Sequence, residues 1–236
     1  MIKNCLLVVT ILTAACTARV TPTEIVDWID FVQFNGIQYI AVYNGDGSAG
    51  RDLTEADLGP EFAKVEYKHD EPHVSSHECC RDGDAAFLEA GTVVYIVKGY
   101  HPGFRLAAYR DGRLVLFEAD SNPKAQTGAD LLDIGGKVDS IRVISAEDGV
   151  TELASIADPK QVAALVELVL GSPVDQTRLM QGGVQVYFIA FHLMDGTIVT
   201  LGFLPDSGEL HRGILLPEAF ATAVEQALSA ATPSPP

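Results

Sequence analysis

Several things are scarce in this sequence, and each scarcity excludes something. Its 236 residues hold only four cysteines, Cys5, Cys16, Cys79 and Cys80, too few for a small disulfide-stapled scaffold. No apolar run reaches the roughly 20 residues that a helix needs to cross a bilayer core of ~30 Å. Basic side chains are half as many as acidic ones, 16 against 32, for a formal charge of −16. Binding to phosphate backbones needs a basic face, so nucleic acid is excluded as a partner. The sequence also lacks a G-x-S-x-G elbow, a phosphate-binding glycine loop that follows a strand and opens a helix, and paired C-x₂-C ligands. What remains is ordinary for a folded chain: 47% hydrophobic and 20% charged residues, with 21 Gly and 12 Pro.

The amino terminus carries the most specific signal. Lys3 precedes the short apolar run from Cys5 to Leu12, and Thr13, Ala14 and Ala15 lead into Cys16. These are the proportions of a secretory signal with a small-residue cleavage site. The sequence Leu12-Thr13-Ala14-Ala15-Cys16 resembles the lipobox of bacterial lipoproteins, with Thr13 where that family usually has Leu. The resemblance implies cleavage after residue 15 and a diacylglyceryl group on the Cys16 thiol. It covers only these residues. It also implies export and lipid anchoring, to the outer face of the cell membrane or to a bacterial outer membrane. Loss of residues 1–15 removes Lys3 and no acid, so the mature chain is more acidic still. Residues 16–26 are then the lipidated cysteine and a polar, proline-marked tether.

Turn signals dominate the body. Asn35-Gly36, Asp111-Gly112, Asp148-Gly149 and Asp195-Gly196 each separate two runs rich in β-formers, the pattern of antiparallel hairpins. Two helices are expected among them. One starts at Asp158-Pro159 and repeats Val162, Leu165, Val166, Val169 and Leu170 on a single face, with Gly171 as its stop. The second follows Pro217 and aligns Phe220, Val224 and Leu228. The fold expected is α+β, a hairpin-rich antiparallel body with two packing helices in the C-terminal half. The expected layout is a hairpin-rich subdomain over 27–120, a polar linker over 121–130, an α+β subdomain over 131–230 and a tail over 231–236.

Candidate chemistry concentrates between Asp52 and Glu89, where eleven acids meet three bases. Within it lie His69, His73, His77, Glu78, Cys79 and Cys80, and imidazole and thiolate are the natural ligands of zinc or copper. Pro72 and Ser75-Ser76 argue for a loop. A Cys79–Cys80 bridge would be strained, because adjacent Cα atoms sit ~3.8 Å apart, below the usual disulfide range. The alternative is a solvated acidic loop. A weaker match, to a calcium-loop template, runs from Asn44 through Asp46, Ser48 and Asp52 to Glu55, but Ala49 stands where Gly is required. His101 reads as a turn residue, His192 as a sheet-face histidine and His211-Arg212 as a surface patch. Tyr39, Tyr43 and Tyr109 are candidate exposed anchors.

With no catalytic set visible, the expected function is a non-enzymatic binding or interaction module. It would be held to the membrane through Cys16 and would meet an envelope protein or ligand. Zinc or copper binding by the 69–80 segment is the alternative. A third is a cell-wall-acting enzyme whose site comes together only in three dimensions.

Overall fold

A computed structural model describes residues 29–43, 50–69, 81–177 and 187–231. Cys16, His73, His77, Glu78, Cys79 and Cys80 lie outside them, as do residues 44–49 of the calcium-like segment. The architecture is α+β: two sheets, antiparallel but for one short pair, and two helices in the C-terminal half.

The first sheet holds β1 (Phe31–Phe34), β2 (Ile37–Val42), β3 (Leu58–Lys64), β4 (Tyr67–Lys68), β5 (Asp84–Ala85), β6 (Val93–Val97), β7 (Arg105–Arg110) and β8 (Arg113–Ser121). Their spatial order is β3-β6-β7-β8-β2-β1-β5-β4, with β4 and β5 the parallel pair. Asn35-Gly36 and Asp111-Gly112 close the β1–β2 and β7–β8 hairpins with all four residues at positive φ, as a type I′ turn requires. The sheet curls around its own apolar cluster, which includes Val32, Tyr39, Leu106, Ala108, Phe117 and Ala119.

The second sheet comprises β9 (Val138–Ser145), β10 (Glu152–Ile156), β11 (Tyr187–Leu193), β12 (Ile198–Leu204), β13 (Glu209–Leu210) and β14 (Ile214–Leu215), in the order β10-β9-β11-β12-β13-β14. Here only the glycine of each Asp-Gly pair, Gly149 and Gly196, has a positive φ. Asp195 is occupied otherwise: its Oδ1 accepts from the Thr197 backbone N–H at 2.9 Å and from the Thr197 hydroxyl at 2.6 Å. That local bonding fixes a wider turn, with Gly196 in the left-handed position.

Helix α1 (Pro159–Gly171) starts where the sequence indicates, with Asp158 accepting the Gln161 N–H at 2.9 Å. It buries Val162, Leu165, Val166 and Val169, while α2 (Glu218–Ala231) buries Phe220 and Val224. Phe220 meets Phe203 of β12 edge to face at 5.5 Å. Ile141, Val143, Ile189, Phe191, Val199 and Leu201 share one sheet face by register. They join the helix stripes in the larger apolar cluster.

That cluster does not stop at the second sheet. It takes in Val97, Tyr100, Phe104, Ala107 and Leu116 from the first. The alternation of β7 explains how. Leu106 and Ala108 face the curled core, Arg105 and Ala107 face the second sheet, and all four are buried. Residues 121–130 are bonded down onto the end of α1. The Gly128 N–H donates to the Ser172 carbonyl at 2.9 Å, and a Cβ on Gly128 would lie 2.1 Å from the Val169 carbonyl oxygen, so only glycine fits there.

Candidate functional site

The β7–β8 hairpin carries polar clusters at both ends. At its base Arg105 sits opposite Glu118, and both are buried. Arg105 Nε and Nη2 donate to Glu118 Oε1 at 3.0 and 2.6 Å. The other carboxylate oxygen accepts from Arg212 Nη2 at 3.0 Å, so one acid serves two guanidinium groups. Arg105 Nη1 continues to the Thr197 hydroxyl at 2.7 Å. Thr197 leads to Asp195, whose Oδ2 accepts from the Tyr100 hydroxyl at 2.7 Å. The Arg105 guanidinium also lies over the Tyr100 and Phe104 rings, 4.6 and 5.0 Å from their centroids. Such stacking suits a weakly hydrated, planar cation removed from water.

The electrostatics of this base follow from its burial. Burial, more than the bond to Asp195, pushes the Tyr100 phenol up to about 12. Burial also works to raise the Asp195 carboxyl, but the bonds from Thr197 and Tyr100 outweigh it and hold the group below its ordinary value. Arg212 is not the surface residue that the sequence suggests. It is buried, at φ 76°, in the turn joining β13 and β14, because Glu118 draws its guanidinium inward. Its Nε and Nη1 have no hydrogen-bond partner among the described residues. Neighbouring His211 lies 3.8 Å from Asp120, and its pKa is depressed, first by burial and then by the Arg212 charge, against the pull of Asp120. His192 faces the other side of the second sheet and is lowered by burial and by Arg142. His101 sits in the turn before β7, where its Nδ1 accepts from the Gly103 N–H at 3.0 Å.

The tip is different. The Arg110 guanidinium binds Asp30 Oδ2, which also accepts the Tyr43 hydroxyl. Arg110 stacks on the Tyr43 ring at 5.3 Å. Tyr109 donates to Glu55 at 3.1 Å. Two clefts flank this tip and share Tyr109, Arg110 and Asp111. The larger, about 1130 Å³, has Val42, Leu53, Leu114 and Leu116 among its lining and Tyr43, Arg51 and Arg113 beside them. The smaller, about 410 Å³, includes Lys68, Phe87 and Glu89.

Arg51 joins the two ends. Its Nε donates to the Asp195 carbonyl at 2.5 Å, and its two Nη atoms grip Asp57 at 2.7 and 2.8 Å. The Asp57 carboxyl is held far below the usual range, chiefly by Arg51. Asp57 is also the third residue of a capping box on Thr54, so one acid serves as both a cap and an ion-pair anchor.

Tyr43 and Tyr109 are 52% and 36% exposed, but Tyr39 is fully buried, with its hydroxyl donating to the Pro102 carbonyl at 2.9 Å. Tyr39, Ala41 and Tyr43 alternate onto one face of β2. That face lines the curled core until the strand runs out, which leaves only Tyr43 outside. Of the metal candidates, His69 is buried, its Nε2 3.1 Å from Asp84 Oδ2 and its ring 5.0 Å from Tyr67. Among the described residues no three His, Cys, Asp or Glu groups converge on an ion position. Likewise among them, no helix is long and apolar enough to cross a membrane. The chain matches no known family model, no curated protein and no solved structure.

Proposed function

We propose that the chain is an exported, lipid-anchored envelope protein, held through Cys16, whose body works as a non-enzymatic binding module. The single observation that carries the binding role is the tip of the β7–β8 hairpin. There an apolar floor from Val42, Leu114 and Leu116 is rimmed by Tyr43, Tyr109, Arg51 and Arg113. Apolar floor with aromatic and arginine rim is the composition that interaction surfaces favour. A photo-crosslinker replacing Tyr109 in intact cells is expected to give discrete adducts, and one replacing Leu153 on β10 is not. Adducts from Leu153 alone would overturn the assignment.

A second reading, zinc or copper binding by the 69–80 segment, has one observation in its favour. The Asp84 carboxylate on His69 Nε2 is the kind of contact that fixes the tautomer and orientation of a metal-binding imidazole. The full chain would then hold near-stoichiometric metal through dialysis, and a His73→Ala/His77→Ala/Cys79→Ser/Cys80→Ser variant would lose it. Trace metal in both would end this reading.

A further inference from the structure

Four aromatic side chains stand well exposed among the described residues: Tyr43, Tyr67, Phe87 and Tyr109. Three of them gather at one end of the molecule: Tyr109 and Phe87 line one cleft, and Tyr109 and Tyr43 the other. Monomeric surfaces rarely gather such groups without a use. The amino-terminal chain enters the body at this same end. Asp30 is tied to Tyr43 and Arg110 at the hairpin tip, and Ile29 just before it is 62% exposed. Twelve residues lie between Cys16 and Ile29, thirteen steps along the chain, so the anchor reaches at most about 45 Å at 3.3–3.6 Å per residue. A tether this short holds its root, and the tip bonded to it, at high effective concentration beside the bilayer.

We infer that this aromatic end docks on the head-group layer of the membrane that carries the lipid anchor. The inference rests on the lipoprotein reading above and names the partner of the same tip. Tyrosine suits the interface, since its ring enters the acyl boundary while its hydroxyl stays wet. Arg113 is long enough to lay its stem along the ring faces and keep its charge in the head groups. The remaining surface is strongly acidic, so the contact favours zwitterionic lipid. Anionic lipid weakens it, the opposite of a polybasic contact.

Hydrogen exchange on the full lipidated chain, in phosphatidylethanolamine/phosphatidylcholine vesicles against the same chain as Cys16→Ser in buffer, tests this. Exchange over residues 86–89 and 108–114 should slow by about threefold or more in vesicles, with residues 146–153 unchanged. The protection should fall when a third of the lipid is phosphatidylglycerol. It should vanish in Tyr43→Ser/Phe87→Ser/Tyr109→Ser, which stays anchored. Anchored protein with identical exchange at the tip, or protection that survives the three serines, overturns the docking. So does a protein adduct from position 109 in cells with no slowing on vesicles.

The lipoprotein reading fails separately, if Cys16 carries no lipid. Docking is then judged on flotation of the Cys16→Ser chain with zwitterionic vesicles. The three-serine variant should float several-fold less, and equal flotation rejects docking.

Discussion

The base and the tip of the β7–β8 hairpin use the same ingredients, arginine, carboxylate and tyrosine, in opposite surroundings. At the base Arg105 is wholly excluded from solvent and Glu118 nearly so, and the pair reaches across to Thr197 and Arg212 on the side of the second sheet. At the tip Tyr109 is 36% exposed and Arg110 half-buried beside open clefts, although its partner Asp30 is as buried as Glu118. Charges removed from water are expensive to leave unpaired, whereas exposed pairs contribute little. The base therefore governs how the two sheets hold together, and the tip is free to serve binding.

The largest effect should come from breaking the base. Glu118→Gln strips two buried guanidinium groups of their shared acid and is expected to cost about 3–5 kcal/mol, read by urea unfolding. Replacing all three charges, as Arg105→Met/Glu118→Leu/Arg212→Leu, should cost less than Glu118→Gln alone, because it leaves no orphaned charge. A triple variant weaker than the single would mean that the ion network itself stabilises the fold. One step along the network, Tyr100→Phe removes a donor to Asp195, which lies at the exposed edge of the network, and should cost about 0.5–1.5 kcal/mol.

A smaller effect is set by pH. His192 and His211 have folded pKa values below the ordinary value of about 6.5. Below that pH the unfolded chain binds the protons more readily, so stability is complete above about 6.5 and declines as pH falls through it. A His192→Asn/His211→Asn variant should show a flatter melting-temperature profile between pH 7.5 and 5.5. An unchanged slope would place the titration elsewhere. The smallest effect belongs to the tip. Arg113→Ala should change stability by less than about 0.5 kcal/mol while weakening the crosslink from position 109. Equal losses of stability at tip and base would erase the distinction between them.

Much of this contrast was legible in the sequence. Asp111-Gly112 dictates a two-residue turn, and counting outward from it pairs Arg110 with Arg113 and, five steps on, Arg105 with Glu118. Both helices and their buried stripes follow from capping and 3.6-residue spacing. What pairing cannot reveal is burial. Arg105 lies in a strand whose two faces meet two different cores, and that is decided by β12 and by Arg212, nearly a hundred residues later. The same limit misplaced Tyr39, which alternates with exposed Tyr43 but falls where the sheet curls over. The Asp195-Gly196 turn differs from a tight hairpin because Thr197 engages the aspartate, a contact that a dipeptide pattern does not encode. His69 drew notice for its neighbours in sequence, yet its Nε2 lies 3.1 Å from Asp84, fifteen residues on.

Whether the tip faces a membrane depends on the modification at Cys16, and the mass of the mature amino-terminal peptide from isolated membranes tests it most directly. The expected result is a chain that begins at Cys16 and carries a diacylglyceryl group, found in the membrane fraction and released from it by Cys16→Ser. An unmodified cysteine, or cleavage at another bond with the protein in the soluble fraction, would contradict the lipid anchor and leave docking of the tip to flotation of the unlipidated chain.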